Sequence, residues 1–167
     1  EFAKYVGGNV EAISVNSATA GLHLALEACG VTYGDEVIVP TLTFTATGEI
    51  VRYLGADPVF VDCDPNTLCI DVAQIESKIT AKTKVIIPVH MAGLPCDMDA
   101  ILALAKKHNL RVIEDAAHTC PSKINNVMIG QHASDAIVYS FYATKTITTG
   151  EGGMIVTKNA ELAKRCK

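Results

Sequence analysis

The sequence has few charged residues and no concentration of positive charge. Of its 167 residues, 19% are charged and the formal net charge is -4. A nucleic-acid groove or an anionic membrane surface requires a concentrated positive field, so we expect neither as a partner. No apolar run approaches the roughly 20 residues that cross a bilayer, and the N-terminus lacks the pattern of a signal peptide. The sequence therefore predicts a soluble, cytoplasmic protein.

The sequence also lacks the common metal, disulfide and nucleotide motifs. Its six cysteines include no C-x-x-C pair, and no histidine stands at a metal-ligand spacing from them. We therefore expect no metal site and no disulfide framework, and we interpret the cysteines as small buried side chains in a reduced compartment. Neither G-x-G-x-x-G nor G-x-x-x-x-G-K-[ST] occurs, so dinucleotide and nucleoside-triphosphate sites lose their main support.

What the sequence does contain is a series of short β-branched runs separated by helical patterns. The first six runs begin at intervals of about 25 residues, which is the length of a strand, a turn and a three-turn helix. This spacing predicts an α/β fold of three layers, α/β/α, with a mostly parallel, seven-stranded mixed sheet. The interval from Phe141 to Met154 is too short for a crossover helix, so the last strand either pairs antiparallel or crosses by an extended loop. The seven runs are Ile13–Val15, Glu36–Val39, Pro58–Val61, Lys84–Pro88, Arg111–Glu114, Ala136–Phe141 and Met154–Thr157.

Chemically useful side chains follow these strands, where ligands of parallel sheets bind. Residues 17–19 begin a helix after the first strand and offer free N–H groups to an anion, although taken alone they are more simply explained as an ordinary N-cap without a ligand. Phe44, Asp115, His118 and Lys145 follow later strands; singly, they fit a core aromatic, a loop-fixing acceptor, a structural histidine and a solvated lysine. Together, an anion anchor, an aromatic face, a carboxylate and an amine are what pyridoxal phosphate requires.

At these residues the sequence resembles the DegT/DnrJ/StrS-type sugar-nucleotide aminotransferases, a family of the fold-type I pyridoxal-phosphate architecture. The resemblance runs from about Gly7 to Lys167. The motifs that carry it are Asn16–Ala20, Gly34–Pro40, Thr43–Thr47, Leu54–Asp62, Pro88–His90, Glu114–His118, Ser140–Phe141 with Thr144–Lys145, and Gly150–Gly153. Each is modest alone, and their order and spacing make the resemblance specific.

The resemblance implies a role for each matching residue. Lys145 forms the Schiff base with the cofactor and Asp115 bonds its pyridine nitrogen, which makes these two the catalytic residues. Phe44 stacks on the ring and His118 lies near its 3-hydroxyl. The full set of implied cofactor-binding residues is Ser17, Ala18, Thr19, Ala20, Phe44, Asp115, His118, Ser140 and Lys145; within it, Thr19, Ala20 and Ser140 hold the phosphate.

The resemblance also implies a reaction. An amino group passes from glutamate to a keto-sugar nucleotide for amino-sugar and polysaccharide biosynthesis, and the cofactor takes the pyridoxamine phosphate form during turnover. Residues 1–167 are then the cofactor-binding large domain of a chain about twice as long, without its C-terminal small domain, and the longer protein is a homodimer. Lys145 argues against a dehydratase branch of the family that has histidine at this position. Two alternatives remain open: another fold-type I enzyme, such as a cysteine desulfurase-like one, and a non-catalytic sensor that binds pyridoxal phosphate.

Overall fold

The computed structural model describes residues 1–167 without a gap as alternating strands and helices. The strands are β1 Glu11–Val15, β2 Glu36–Pro40, β3 Asp57–Val61, β4 Thr83–Ile86, β5 Arg111–Asp115, β6 Lys123–Ile124, β7 Val127–Met128, β8 Ala136–Ser140 and β9 Gly153–Thr157. The helices are α1 Phe2–Val6, α2 Ala18–Ala28, α3 Ala46–Tyr53, α4 Val72–Ile75, α5 Met98–His108 and α6 Ala160–Cys166. None of the helices is long and apolar enough to cross a membrane.

Seven of the strands form one mixed sheet, in the order β1-β9-β8-β5-β4-β2-β3. The pairs from β8 through β5, β4 and β2 to β3 are parallel, whereas β9 is antiparallel to both β1 and β8. All seven predicted strands are present, and the seven-stranded mixed sheet is confirmed. The last strand takes the antiparallel alternative, inserted between β1 and β8. The carboxyl ends of the parallel strands and the start of β9 therefore lie at one edge of the sheet.

Helices cover both faces of the sheet, which gives the predicted three layers. On one face, α2, α3 and α6 bury side chains such as Leu26, Ile50 and Leu162 against the sheet in a core of 19 buried residues. On the other face, α4 and α5 contribute Ile75 and Ile101 to a separate core, and α1 packs on a third. The central strands are buried on both faces, which is why they contain continuous runs of β-branched residues.

Helix α2 lies unusually close to the sheet. A Cβ atom added at Gly21 would stand 2.8 Å from Cγ1 of Val138, closer than side chains pack. The absence of a side chain at Gly21 thus allows α2 to pack directly over β8. As a result, the N-terminus of α2 lies beside the carboxyl end of β8, which ends at Ser140 and is followed by the turn that contains Lys145.

One small element is absent from the sequence prediction. Strands β6 and β7 form a two-stranded antiparallel hairpin, and Asn125 and Asn126 both take positive φ in its turn. Asparagine tolerates this left-handed backbone better than most residues. The hairpin belongs to the long connection between β5 and β8, which in this chain contains no crossover helix.

Candidate functional site

A cavity of about 510 Å³ opens at the carboxyl edge of the sheet. Eighteen residues line it, and they come from the segments that follow β1, β2, β4, β5 and β8 and precede β9. Eight of the nine site residues that the sequence predicted are among them, Ala20 being the exception. Residues separated by more than a hundred positions along the chain are therefore brought to one site.

The N-terminus of α2 forms one end of this cavity. Ser17 caps the helix, because its Oγ accepts the N–H of Ala20 at 3.1 Å. The N–H of Gly21 goes to the carbonyl of Ser17, so the N–H groups of Ala18 and Thr19 have no partner within the helix. With the positive end of the helix dipole, two free N–H groups suit an anion. The N–H of Ala20 is taken up by the cap instead.

The start of β9 lies against this helix terminus. A Cβ atom added at Gly153 would stand 2.8 Å from the backbone N of Ala18 and 2.9 Å from the carbonyl oxygen of Tyr139. Only glycine fits between these two backbone segments. The buried Ser140, which pairs with Gly153 in the ladder, therefore lies at the same end of the cavity.

Asp115 ends β5 and lies at the floor of the cavity with only 5% of its surface exposed. Its Oδ1 accepts the N–H of Ala117 at 3.1 Å, and its Oδ2 accepts the hydroxyl of Thr47 at 2.8 Å. Two donors hold the carboxylate in one orientation, while its contact with the cavity leaves acceptor capacity for a ligand. A cationic or N–H group of the ligand is the fitting partner.

Lys145 stands in the turn after β8 and is half-buried at the cavity wall. Its N–H donates to the carbonyl of Tyr142 at 3.0 Å, which forms the turn. The segment that follows Lys145 folds back toward the end of β8. The N–H of Thr149 and the hydroxyl of Thr148 both donate to the carbonyl of Phe141, each at 3.0 Å. The backbone of Lys145 is thereby held near the strand end rather than on a free loop.

His118 is fixed by the backbone of a neighbouring turn. The N–H of Ala92 donates to its Nδ1 at 3.3 Å, so the neutral ring carries its proton on Nε2. Burial lowers the pKa of His118, and the nearby Lys145 ammonium lowers this pKa further against the opposing effect of Asp115. His118 is therefore a neutral ring that can donate through Nε2.

Phe44 lies at the mouth of the cavity with 76% of its surface exposed. A large aromatic ring with this exposure is not part of the core, and it lies two residues before α3. Its open face suits stacking on a flat ligand. Sequence reasoning found this residue because it follows a strand end.

The cavity also contains residues that the sequence prediction did not include, among them Thr43, Met91, Tyr142 and Glu151. Outside the cavity, Thr47 contacts the site through Asp115. Position after a strand end was a usable signal for Thr43, which precedes Phe44 directly. Thr47 lies in the Thr43–Thr47 motif of the resemblance, but the sequence assigned it no role, because its contact with Asp115 depends on how α3 packs over the sheet.

A second polar cluster lies behind the site, on the opposite face of β5. Glu114 is completely buried; its Oε2 lies 2.8 Å from Nε2 of His90, and its Oε1 accepts the hydroxyl of Ser134 at 2.5 Å. Nδ1 of His90 accepts the N–H of Cys96 at 3.1 Å. Burial alone would raise the pKa of Glu114, but the imidazoles of His132 and His90 and the Ser134 hydroxyl hold this pKa at about 2. The cluster fixes β4 to β5.

Comparison with known proteins gives a consistent result. The model of the DegT/DnrJ/EryC1/StrS aminotransferase family matches residues 1–167. The spore coat polysaccharide biosynthesis protein SpsC of Bacillus subtilis is 50% identical over 100% of the chain and 42% of its own length. A GDP-perosamine synthase of Escherichia coli O157:H7 is 51% identical over 93% of the chain and 42% of its own. The chain thus spans about 42% of the length of these curated relatives.

Solved structures extend the comparison to three dimensions. The structure of NtdA from Bacillus subtilis, with bound cofactor PMP, superposes with a TM-score of 0.90 and 36% identity. The match covers 99% of this chain and 37% of that one. The similarity therefore includes the whole α/β/α layer arrangement described above.

Proposed function

The chain belongs to the DegT/DnrJ/EryC1/StrS aminotransferase family, and from that premise we propose that residues 1–167 form the cofactor-binding large domain of a pyridoxal-phosphate-dependent aminotransferase. The observation that carries the proposal is the composition of one cavity. It combines an unpartnered pair of helix N–H groups, an exposed aromatic ring, an oriented carboxylate and a half-buried lysine. The resting cofactor is pyridoxal phosphate, which alternates with pyridoxamine phosphate during turnover.

The residues present fit this cofactor on their own chemistry. A phosphate requires several N–H and O–H donors at close range, and the free N–H groups of Ala18 and Thr19 meet this requirement beside Ser140. The tight contact at Gly153 keeps these donors together. Ser17 contributes by capping the helix, and Ala20 by donating its N–H to that cap. When bound, pyridoxal phosphate supplies an aldehyde that exchanges amino groups and a ring that withdraws electrons.

At the other end of the cavity, Asp115 would accept the N–H of the cofactor ring and would thereby favour the protonated ring nitrogen. Its two fixed donors hold the carboxylate in the orientation that this contact requires. Phe44 covers one face of the ring and excludes water from it. His118 donates its Nε2–H to the ring oxygen, which the neutral tautomer permits at physiological pH.

Lys145 performs two tasks in the proposed reaction. Its Nζ is the amine that would hold the cofactor covalently in the resting protein. Once free during turnover, the same amine would act as the acid and base that moves a proton at the substrate carbon. The half-buried position at the cavity wall keeps Nζ within the site during both steps.

The substrate class is proposed from the relatives. A GDP-perosamine synthase and a polysaccharide biosynthesis protein are both about half identical to the chain. These names support a sugar-nucleotide substrate in amino-sugar biosynthesis for polysaccharides. The proposal adds a keto-sugar nucleotide as amino acceptor and glutamate as amino donor. We also propose that the protein acts as a homodimer, as in the family it belongs to.

The central experiment is covalent trapping. The chain loaded with pyridoxal phosphate is expected to show a Schiff-base absorbance band that borohydride abolishes, and peptide mass spectrometry is expected to locate the adduct on Lys145. Lys145→Ala should show no band, while Lys123→Ala, which changes an exposed lysine of β6, should retain it. An adduct on Lys123 in the unmodified chain would contradict the assignment.

A second measurement separates an aminotransferase from the alternatives. Glutamate added to the loaded protein is expected to convert the aldehyde absorbance into that of the amine form, and a keto-sugar nucleotide is expected to reverse it. A sensor would bind the cofactor without this exchange. A cysteine desulfurase-like enzyme would instead release sulfur from cysteine and would not respond to the sugar nucleotide.

A further inference from the structure

The Asp115 carboxylate is held at both oxygens by groups from different parts of the chain. Oδ1 accepts the N–H of Ala117, two residues along, at 3.1 Å. Oδ2 accepts the hydroxyl of Thr47 at 2.8 Å, across 68 positions of sequence. The backbone donor is local and would be present in many strand ends, whereas the Thr47 hydroxyl depends on the packing of α3. Thr47 is therefore the long-range contact that fixes the position of Oδ2.

The hydroxyl of Thr47 takes part in a chain of two hydrogen bonds with a fixed direction. Thr47 is fully buried, and its Oγ1 lies 2.7 Å from Oγ1 of Thr43, which lines the cavity. A hydroxyl has one proton, and Thr47 donates it to Asp115. Thr47 must then accept from Thr43, so both O–H groups point toward the carboxylate. Hydrogen bonds aligned in this way strengthen one another in a buried site.

We propose, on the basis of the proposed function, that Thr47 is a positioning residue that orients the Asp115 carboxylate toward the ring nitrogen of the cofactor. Thr43 is then the second link of a relay, the hydrogen-bond chain from Thr43 through Thr47 to Asp115. With valine at position 47, Oδ2 would face a methyl group and lose its partner. A buried carboxylate oxygen without a donor is unfavourable, so the side chain of Asp115 would turn to find another one. The ring nitrogen would then lose an aligned acceptor.

The test compares four single variants and one double variant with the unmodified chain. Thr47→Val preserves the shape of the side chain and removes the hydroxyl, whereas Thr47→Ser keeps the hydroxyl. Thr43→Val removes the second link only. Thr157→Val is the matched control, because Thr157 is also fully buried and lies outside the cavity. Its hydroxyl also makes two hydrogen bonds: it donates to the backbone carbonyl of Asp135 and accepts the N–H of Asn159.

Two measurements are made on each variant. Crystal structures of the unliganded chain report the orientation of Asp115, and titration with pyridoxal phosphate reports its affinity. Thr47→Val is expected to turn the carboxylate and to weaken binding about 10-fold, the loss typical of a hydrogen bond to a charged group. Thr47→Ser is expected to restore both properties, and Thr157→Val to leave both unchanged while lowering stability.

If the two hydrogen bonds act in series, the effects of the single and double variants on binding must also follow a set order. Thr43→Val should weaken binding less than Thr47→Val does, and the double variant should bind no more weakly than Thr47→Val alone, because the second link acts only through the first. Independent, additive losses would show that Thr43 contacts the cofactor by a separate route and would overturn the relay.

The inference fails if Asp115 keeps its orientation in Thr47→Val, or if Thr157→Val reduces affinity to the same extent. Its failure is distinguishable from failure of the proposed function. If no variant and not even the unmodified chain binds pyridoxal phosphate, the proposed function is contradicted, while the Asp115 orientations in the unliganded structures still decide whether Thr47 positions the carboxylate.

Discussion

The contact between β9 and the N-terminus of α2 makes Gly153→Ala the sharpest single test of how the anion site is built. The added Cβ would meet the backbone N of Ala18 and the backbone C of Ser17 at 2.8 Å, and the carbonyl oxygen of Tyr139 at 2.9 Å. All three atoms belong to the backbone, so no side chain can rotate away. To reach ordinary van der Waals distance, the two segments must separate by about 0.6 Å.

This separation affects both stability and binding. Gly153 pairs with Ser140 and Val15, and the N–H of Phe141 donates to the carbonyl of Gly152 at 2.9 Å, so the movement strains two ladders at once. Overpacking of this kind costs about 1–3 kcal/mol. We expect Gly153→Ala to lower the free energy of unfolding by that amount in urea titrations, and to weaken binding of pyridoxal phosphate because the free N–H groups move away from Ser140.

The control is Gly48→Ala, in α3. There the added Cβ would meet the ring of Phe60 at 3.6 Å, an ordinary contact, and the backbone is helical. Alanine in a helix interior is favoured over glycine by about 0.5–1 kcal/mol, so this variant should be slightly more stable. If Gly153→Ala matched the unmodified chain in both stability and affinity, the close approach would not be what assembles the anion site.

Three further predictions concern single side chains. Asp115→Asn is expected to retain the cofactor but to slow the half-reaction with glutamate about 10-fold or more, because an amide stabilises a protonated ring less than a carboxylate does; a near-normal rate in stopped-flow absorbance would contradict this role. Ser17→Ala removes the cap that accepts the Ala20 N–H and should cost about 1 kcal/mol of stability in urea unfolding, and an unchanged midpoint would show that the cap is dispensable. The pKa of Glu114 falls from 4.5 to about 2 on folding, so its stabilising contribution is present above pH 4.5 and is lost as the pH falls toward 2. Glu114→Gln removes this contribution, so the variant should be less stable at neutral pH and should lose less stability on acidification. Differential scanning calorimetry over a range of pH measures both effects.

Local pattern predicted most of the architecture because each strand and helix must bury its own apolar face. The β-branched runs of strands such as Arg111–Asp115 are buried on both faces, and this requirement is visible in a single stretch of sequence. The helix after the first strand is also local, because its cap joins Ser17 to Ala20 within one turn. The positions of the cavity residues after strand ends follow from the same alternation.

Pairing between distant segments required the tertiary structure. The insertion of β9 between β1 and β8, antiparallel to both, is not encoded in the pattern of β9 itself, because an edge and an interior strand can have the same residues. Likewise, His90 follows β4 and Asp115 ends β5, so both stand near strand ends in the sequence. In the structure, His90 contacts the buried Glu114, whereas Asp115 lines the cavity.

The sequence by itself determined which residue types stand at the carboxyl ends of the strands, because the local periodicity of hydrophobic residues indicates where each strand and helix lies. Only the tertiary structure decided which of them meet. The Thr47 hydroxyl reaches Asp115 because α3 packs against α2 and the strands β2 and β3 in one arrangement. The two free N–H groups lie near Ser140 because Gly153 lets β9 approach α2. Hydrogen bonds and close contacts act over about 3 Å, so they depend on the relative positions of whole elements, which no single segment specifies.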